Sequence, residues 1–254
     1  MARSKEVTKK ENGLPVALEQ EMAGDAGDGA QGITTADMAI PFLRILQKMS
    51  PQVSKRDGAY IDGAEEGMII NTVTSELSNE LRVIPCEFNF KIIEWKLRDD
   101  GGGFVASFSR GEQLPNTTPD DRGRAITDAG TQLSDTAEHY VLVLFPDGHT
   151  EQALITMSGT QLKHSRKWNS LVQQQMVQTP EGQKIAPTYS RIYTLTTAGE
   201  SNDKGDWSGW NIKLEGMVED IDLYRSAKSF SQSVSQGTVK VKHTNPNEEA
   251  DVPF

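Results

Sequence analysis

Apolar and polar positions alternate with a period of two over three stretches of the chain, and each stretch doubles back on a turn sequence. Residues 81–98, LRVIPCEFNFKIIEWKLR, are β-branched and aromatic; DDGGG turns the chain and FVASFS returns. HYVLVLF at 139–145 and TEQALITM at 150–157 flank Pro146, Asp147 and Gly148. TYSRIYTLTT at 188–197 and WSGWNIKLEGM at 207–217 flank the polar loop AGESNDKGD. The pattern predicts three antiparallel hairpins.

Helical spacing occurs in three other places. Residues 160–177 contain no Gly or Pro and are stopped by Thr179 and Pro180. Their apolar stripe is Trp168, Leu171, Val172 and Met176. Lys163, Arg166, Lys167 and Ser170 form a second stripe at i, i+3, i+4 and i+7. In TTADMAIPFLRILQKMSPQV, residues 34–53, Phe42, Ile45 and Met49 recur at helical spacing behind Thr35 or Asp37 as a cap, which predicts an amphipathic helix. Ile221, Tyr224 and Lys228 predict a short closing helix.

The remaining segments lack periodicity. Residues 1–34 read as a disordered leader, 110–137 as a long loop, and 233–254 as a flexible linker and acidic tail. One domain over 35–232 results. The expected class is mainly β with flanking helices: an OB-fold-like antiparallel barrel of three hairpins with an inserted helix. A two-sheet sandwich uses the same strands, because periodicity does not fix strand order.

Composition narrows the chemistry. Hydrophobic residues make up 36% of the 254 positions, lean for a fully packed chain. The single cysteine, Cys86, excludes an intramolecular disulfide and follows Pro85 in a strand, where it fills core. His139, His149, His164 and His243 are too scattered for a zinc spacing, so no metal or cofactor is expected. DDGGG lacks the Lys-Ser/Thr of a phosphate-cradling loop. The acid pairs Asp99/Asp100, Asp120/Asp121 and Glu219/Asp220 fall in turns or at a helix start. The expectation is a protein that is not an enzyme; a metal-dependent DNA-processing enzyme is the catalytic alternative. MARSKEVTKKENG has no apolar stretch behind it, and no run approaches the roughly 20 apolar residues of a membrane span, so a cytoplasmic location without membrane contact is expected.

A net charge of −10 opposes a plain electrostatic nucleic-acid binder. Charge is partitioned, however: residues 160–194 hold Lys163, Arg166, Lys167, Lys184 and Arg191 against the single acid Glu181. In the strand TYSRIYTL, a period of two puts Tyr189, Arg191, Tyr193 and Leu195 on one face. On the returning arm, Trp210, Ile212 and Leu214 read as core, leaving Trp207 and Lys213 to extend that face. Rings that stack bases beside cations that meet phosphate suit a single-stranded nucleic acid. The expected binding set is Lys163, Arg166, Lys167, Tyr189, Arg191, Tyr193, Trp207 and Lys213. Alternatively, the tyrosines are core residues with wet hydroxyls and Arg191 snorkels.

The last residues, EEADVPF, carry a resemblance. Acids followed by Asp251, Val252, Pro253 and Phe254 resemble the acidic C-terminal tip of bacterial single-stranded DNA-binding proteins. The order core, linker, acidic tip is similar to that of bacteriophage single-stranded DNA-binding proteins. The resemblance implies a sequence-tolerant single-stranded DNA-binding protein of phage DNA replication or recombination. It also implies that Glu248, Glu249, Asp251, Val252, Pro253 and Phe254 recruit replication, recombination or repair proteins. The terminal Phe would enter an apolar pocket while acids add longer-range attraction. In the free protein the same acids would compete with DNA for the cationic surface. The core departs from the bacterial family's compact barrel, so its tetrameric assembly does not carry over; homo-oligomerisation stays open. The rival class is an acidic protein-interaction or virion protein that does not bind DNA.

Overall fold

The computed structural model describes residues 15–32, 39–203, 205–239 and 241. The chain divides into two units, Met1–Met38 and Ala39–Phe254. In the first, helix α1 (Val16–Gly24) occupies part of the expected disordered leader and buries none of its residues.

The second unit is mainly β: a curled antiparallel sheet forming a half-barrel, with a few helices, consistent with an OB-like barrel. Its first strands, β1 (Leu43–Ile45), β2 (Ile69–Asn71) and β3 (Leu77–Ser78), make a small antiparallel sheet. The predicted helix over 34–53 is therefore corrected where residues are described: the chain is extended through Leu43–Ile45, with a single short turn at Pro51–Val53. Its apolar residues serve different places. Phe42, Leu43 and Leu46 enter three separate core clusters, which an extended chain can reach and one helix face cannot.

The large sheet begins with β4 (Leu81–Trp95) and β5 (Phe104–Ser109), the first predicted hairpin. The segment expected to be a loop then contributes β6 (Thr117–Pro119), β7 (Ala125–Thr127) and the start of β8 (Gln132–Leu144), which forms the second hairpin with β9 (Thr150–Ser158). Helix α2 (Leu162–Gln173) is shorter than predicted, because β10 (Met176–Thr179) and β11 (Gly182–Ile185) make a small hairpin instead of a last helical turn. The third hairpin is β12 (Arg191–Asn202) with β13 (Gly205–Met217), and α3 (Ile221–Ser235) closes the described fold. Asp220 caps α3 by accepting from the backbone N–H groups of Asp222 and Leu223.

Strand β4 organises the curl. One edge pairs with β8 along nearly its whole length; the other pairs with β12 through Leu81–Val83 and with β5 through Lys91–Trp95. Pro85, which has no N–H to give, sits beside a register shift between Pro85 and Glu87, past the last β12 pair.

Both faces of the central strands are apolar. Val83, Val141, Val143, Ile155 and Met157 line the inside of the curl with Trp168 of α2. Ile84, Cys86, Tyr140, Leu142 and Leu154 face the other way and are covered by Phe42 and by Ala227, Phe230 and Val234 of α3. Cys86 is fully buried as expected of a core residue, and burial pushes its thiol pKa far up.

The small sheet bridges the open side of the curl. At one end Leu154 N–H donates to Pro41 O, 2.9 Å. At the other, the Gln47 amide acts as a short stretch of strand, donating to Ser208 O and accepting from Ser208 N–H, both at 2.9 Å. Gln161 adds a bond to the same Ser208 carbonyl, 3.0 Å, and accepts from Trp210 N–H. Thr197 Oγ1 donates to Gly67 O at 2.6 Å. Among the described residues, no helix is long and apolar enough to cross a membrane.

Candidate nucleic-acid interface

Helix α2 divides its faces as its sequence predicts as far as Val172, while Met176, read as part of the apolar stripe, falls in β10 and is exposed. Trp168 is fully buried and Val172 nearly so, while Lys163, Arg166 and Lys167 are exposed. Trp168 is the centre of a ring ladder inside the curl. It stacks on His139 at 4.5 Å between centroids, meets Tyr193 edge-on at 5.9 Å, and His139 in turn meets Phe88 at 5.0 Å.

Tyr193 is therefore corrected. It is a core residue with no exposed surface and cannot stack a base on a solvated face. Periodicity showed which β12 residues share a side but not which side faces in. Tyr193 and Leu195 point to the core, and Thr194, Thr196 and Glu200 face outward. Tyr189 lies outside the strand, in the short turn before it, and packs edge-on against Tyr224 of α3 at 5.2 Å. Arg191 is engaged locally: it donates to Gln175 Oε1 at 3.2 Å, to Ser190 O at 3.1 Å and to Met176 O at 3.4 Å. The predicted Tyr189, Arg191, Tyr193 platform does not form.

The returning arm fares differently. Trp207, Asn211 and Lys213 share the outer face, opposite Glu200, Thr196 and Thr194, while Trp210 and Ile212 are core. Lys213 is exposed, with no acid partner among the described residues. Glu215 on the same face is held by a bidentate bond from Arg82 and by Thr194 Oγ1.

Trp207 and Lys163 come together around a residue the sequence did not single out. Glu200 accepts from Trp207 Nε1–H at 2.8 Å, pairs with Lys163 Nζ at 2.9 Å and meets His164 Nε2 at 3.3 Å. Lys163 Nζ also lies over the Trp207 ring, 5.6 Å from its centroid. Partial burial works to raise the Glu200 carboxyl, but the bonds from Lys163, His164 and Trp207 outweigh it and hold the group below its usual range. Gly209 makes the cluster possible: a Cβ there would stand 2.8 Å from Glu200 Oε2 and 2.9 Å from His164 Nε2. Further along α2, Arg166 and Lys167 have no acid partner among the described residues.

A second exposed cation–ring pair was also missed. The Arg110 guanidinium lies 4.1 Å from the centroid of Phe90 on β4. Its sequence signal was two rings, Phe88 and Phe90, two residues apart in the first β-branched and aromatic stretch, and both are half-buried in the structure. The described residues contain no cluster of three or more His, Cys, Asp or Glu able to hold a metal ion. The tail residues Glu248, Glu249, Asp251, Val252, Pro253 and Phe254 lie outside the described residues.

A family model described as Pam3 phage gp34-like protein matches residues 9–240. The chain belongs to the Pam3 phage gp34-like protein family. Membership supports a bacteriophage origin and spans both units. No curated protein and no solved structure matches the chain.

Proposed function

We propose that this phage protein binds single-stranded DNA without sequence preference during replication or recombination, and that it is not an enzyme. The observation that carries this is the α2 surface. Lys163 is fixed against the Trp207 ring, and Arg166 and Lys167 follow it with no acid partner among the described residues. A ring beside a row of cations offers a base a stacking face and a backbone its counter-charges. Lys213 on the Trp207 face extends the surface.

The segment Glu248–Phe254 supports a second role, recruitment of replication, recombination or repair proteins, by its acids and its Val-Pro-Phe sequence. Competition between those acids and DNA for the cationic surface eases, without removing, the conflict with a net charge of −10.

The test is a titration of the full chain with a long single-stranded oligonucleotide, followed by tryptophan fluorescence over a range of salt. Quenching that weakens as salt rises is expected. Absence of binding at low salt would overturn the proposal. Loss of residues 246–254 should leave DNA binding equal or tighter. An interaction surface for protein is the second reading, favoured by the exposed pair Met176 and Ile185 facing each other across the β10–β11 hairpin. Contacts with protein alone would be indifferent to added single-stranded DNA.

A further inference from the structure

The inner face of the sheet is not covered along its whole length. α2 seals the end where Trp168 meets His139 and Tyr193. Past Phe88, the same face of β4 continues through Phe90 and Ile92. The register pairs Ile92 with Phe108 of β5, and continuing it one pair beyond Lys91 and Ser109 sets Phe90 opposite Arg110. Phe88, Phe90, Ile92 and Phe108 are each only partly buried, so the ladder of rings leaves the core and emerges on an open surface.

Arg110 gives that surface a charge. It is exposed, lies over the Phe90 ring, and has no acid partner among the described residues. Lys91, next to Phe90 in β4 and paired with Ser109, alternates onto the other face of the sheet, where its Nζ is bonded to Ser109 Oγ at 2.8 Å. Glu112, whose Oε2 accepts from Ser109 N–H at 3.0 Å, is the acid next to Arg110, while Asp135 lies opposite Ile92 and Glu94 is buried, so Arg110 is the cation that this ring face offers an anion. Residues two apart on a strand are separated by about 6.6–6.8 Å, a step an extended single strand can match with one base per ring.

We infer that the groove formed by Phe88, Phe90, Phe108 and Arg110 on β4 and β5 is a stacking site for bases of a single-stranded nucleic acid, with Arg110 on the backbone phosphate. Arg110 swings off the exposed face of the Phe90 ring to meet a phosphate, and the ring face it leaves is taken by a base. The assignment rests on the proposed single-strand binding and adds a contact surface that does not include α2.

Photocrosslinking and variant binding test it together on the full-length protein. The probe is a long oligo-dT strand, with 5-iodouracil in place of some thymines for crosslinking. Phe90→Leu keeps the apolar volume and removes the ring, and should bind about tenfold more weakly, the scale of one lost stack. Arg110→Ala should lower the slope of log affinity against log salt by about 0.7, one single-strand phosphate. Crosslinks should map to Phe88, Phe90 or Phe108. Denaturant midpoints of both variants should match the parent, which keeps a folding defect from imitating the result. Wild-type binding with unchanged affinity and salt slope in both variants, and crosslinks confined to Trp207, would overturn the groove assignment while leaving single-strand binding intact. No binding by the wild type would overturn the function itself.

Discussion

His139 lies flat against Trp168, ring centroids 4.5 Å apart and planes 17° from parallel, with its Nε2 2.8 Å from Ser165 Oγ. Burial lowers the His139 pKa from 6.5 to about 3, so the folded protein holds the ring neutral. The unfolded chain binds a proton there that the folded chain refuses. Stability is therefore complete above about pH 6.5 and declines as pH falls toward 3, by at most about 1.4 kcal/mol per pH unit for this single group. Urea unfolding between pH 7 and 5 should show that decline. His139→Gln, which keeps a partner for Ser165, should flatten it while lowering stability at pH 7.

Tyr193→Phe separates a core role from a binding role. The Tyr193 hydroxyl is buried without a hydrogen-bond partner among the described residues. Removing it should leave stability unchanged or raise it by up to about 1 kcal/mol, because no bond is lost and a desolvated group disappears. Affinity for single strands should not change. A destabilisation above that scale in a thermal melt would show that the hydroxyl does have a partner.

Arg166→Ala with Lys167→Ala removes two exposed cations that have no acid partner among the described residues. Folding stability should move by less than about 0.5 kcal/mol. The salt slope for single-stranded DNA should fall by about 1.4, two phosphate contacts at the single-strand value. Titration at several salt concentrations reads the slope directly.

Gly209→Ala tests the close approach of Glu200. The new methyl would displace the carboxylate from Trp207, Lys163 and His164, and the protein should lose about 1–3 kcal/mol by denaturant titration. The indole N–H resonance of Trp207 should shift at the same time. An unmoved resonance would show that the cluster tolerates a side chain at this position.

The three hairpins were legible because each joins an alternating run to its mate by residues that favour turns, and local turn chemistry needs no tertiary information. The split of α2 into buried Trp168 and exposed Arg166 and Lys167 was legible for the same reason: one helix carries both stripes. What failed depended on partners distant in sequence. Phe42, Ile45 and Met49 have helical spacing, yet Leu43–Ile45 pair with Ile69–Asn71, and that pairing decides the local conformation. Tyr193 looked like a stacking residue until Trp168, 25 positions earlier in the numbering, supplied the ring that encloses it. Glu200 was unmarked because a lone acid in a polar loop gives no sign of the three donors that converge on it.

The two-sided burial of β8 and β9 bears on how the chain finds its alignment. In a sheet with one wet face, a slip by one residue throws the apolar set into water and is rejected at once. Here Tyr140, Val141, Leu142 and Val143 are all buried, so over that stretch a slipped β8 would exchange one greasy set for another with little solvent penalty. Discrimination against misalignment must come from features that do not repeat along the strand. The shift beside Pro85, the shift between Ile192 and Tyr193, and the paired glutamine amides on Ser208 are such marks, each fitting a single offset. They act as the keying of the fold, and their loss would cost accuracy of assembly before it cost strength.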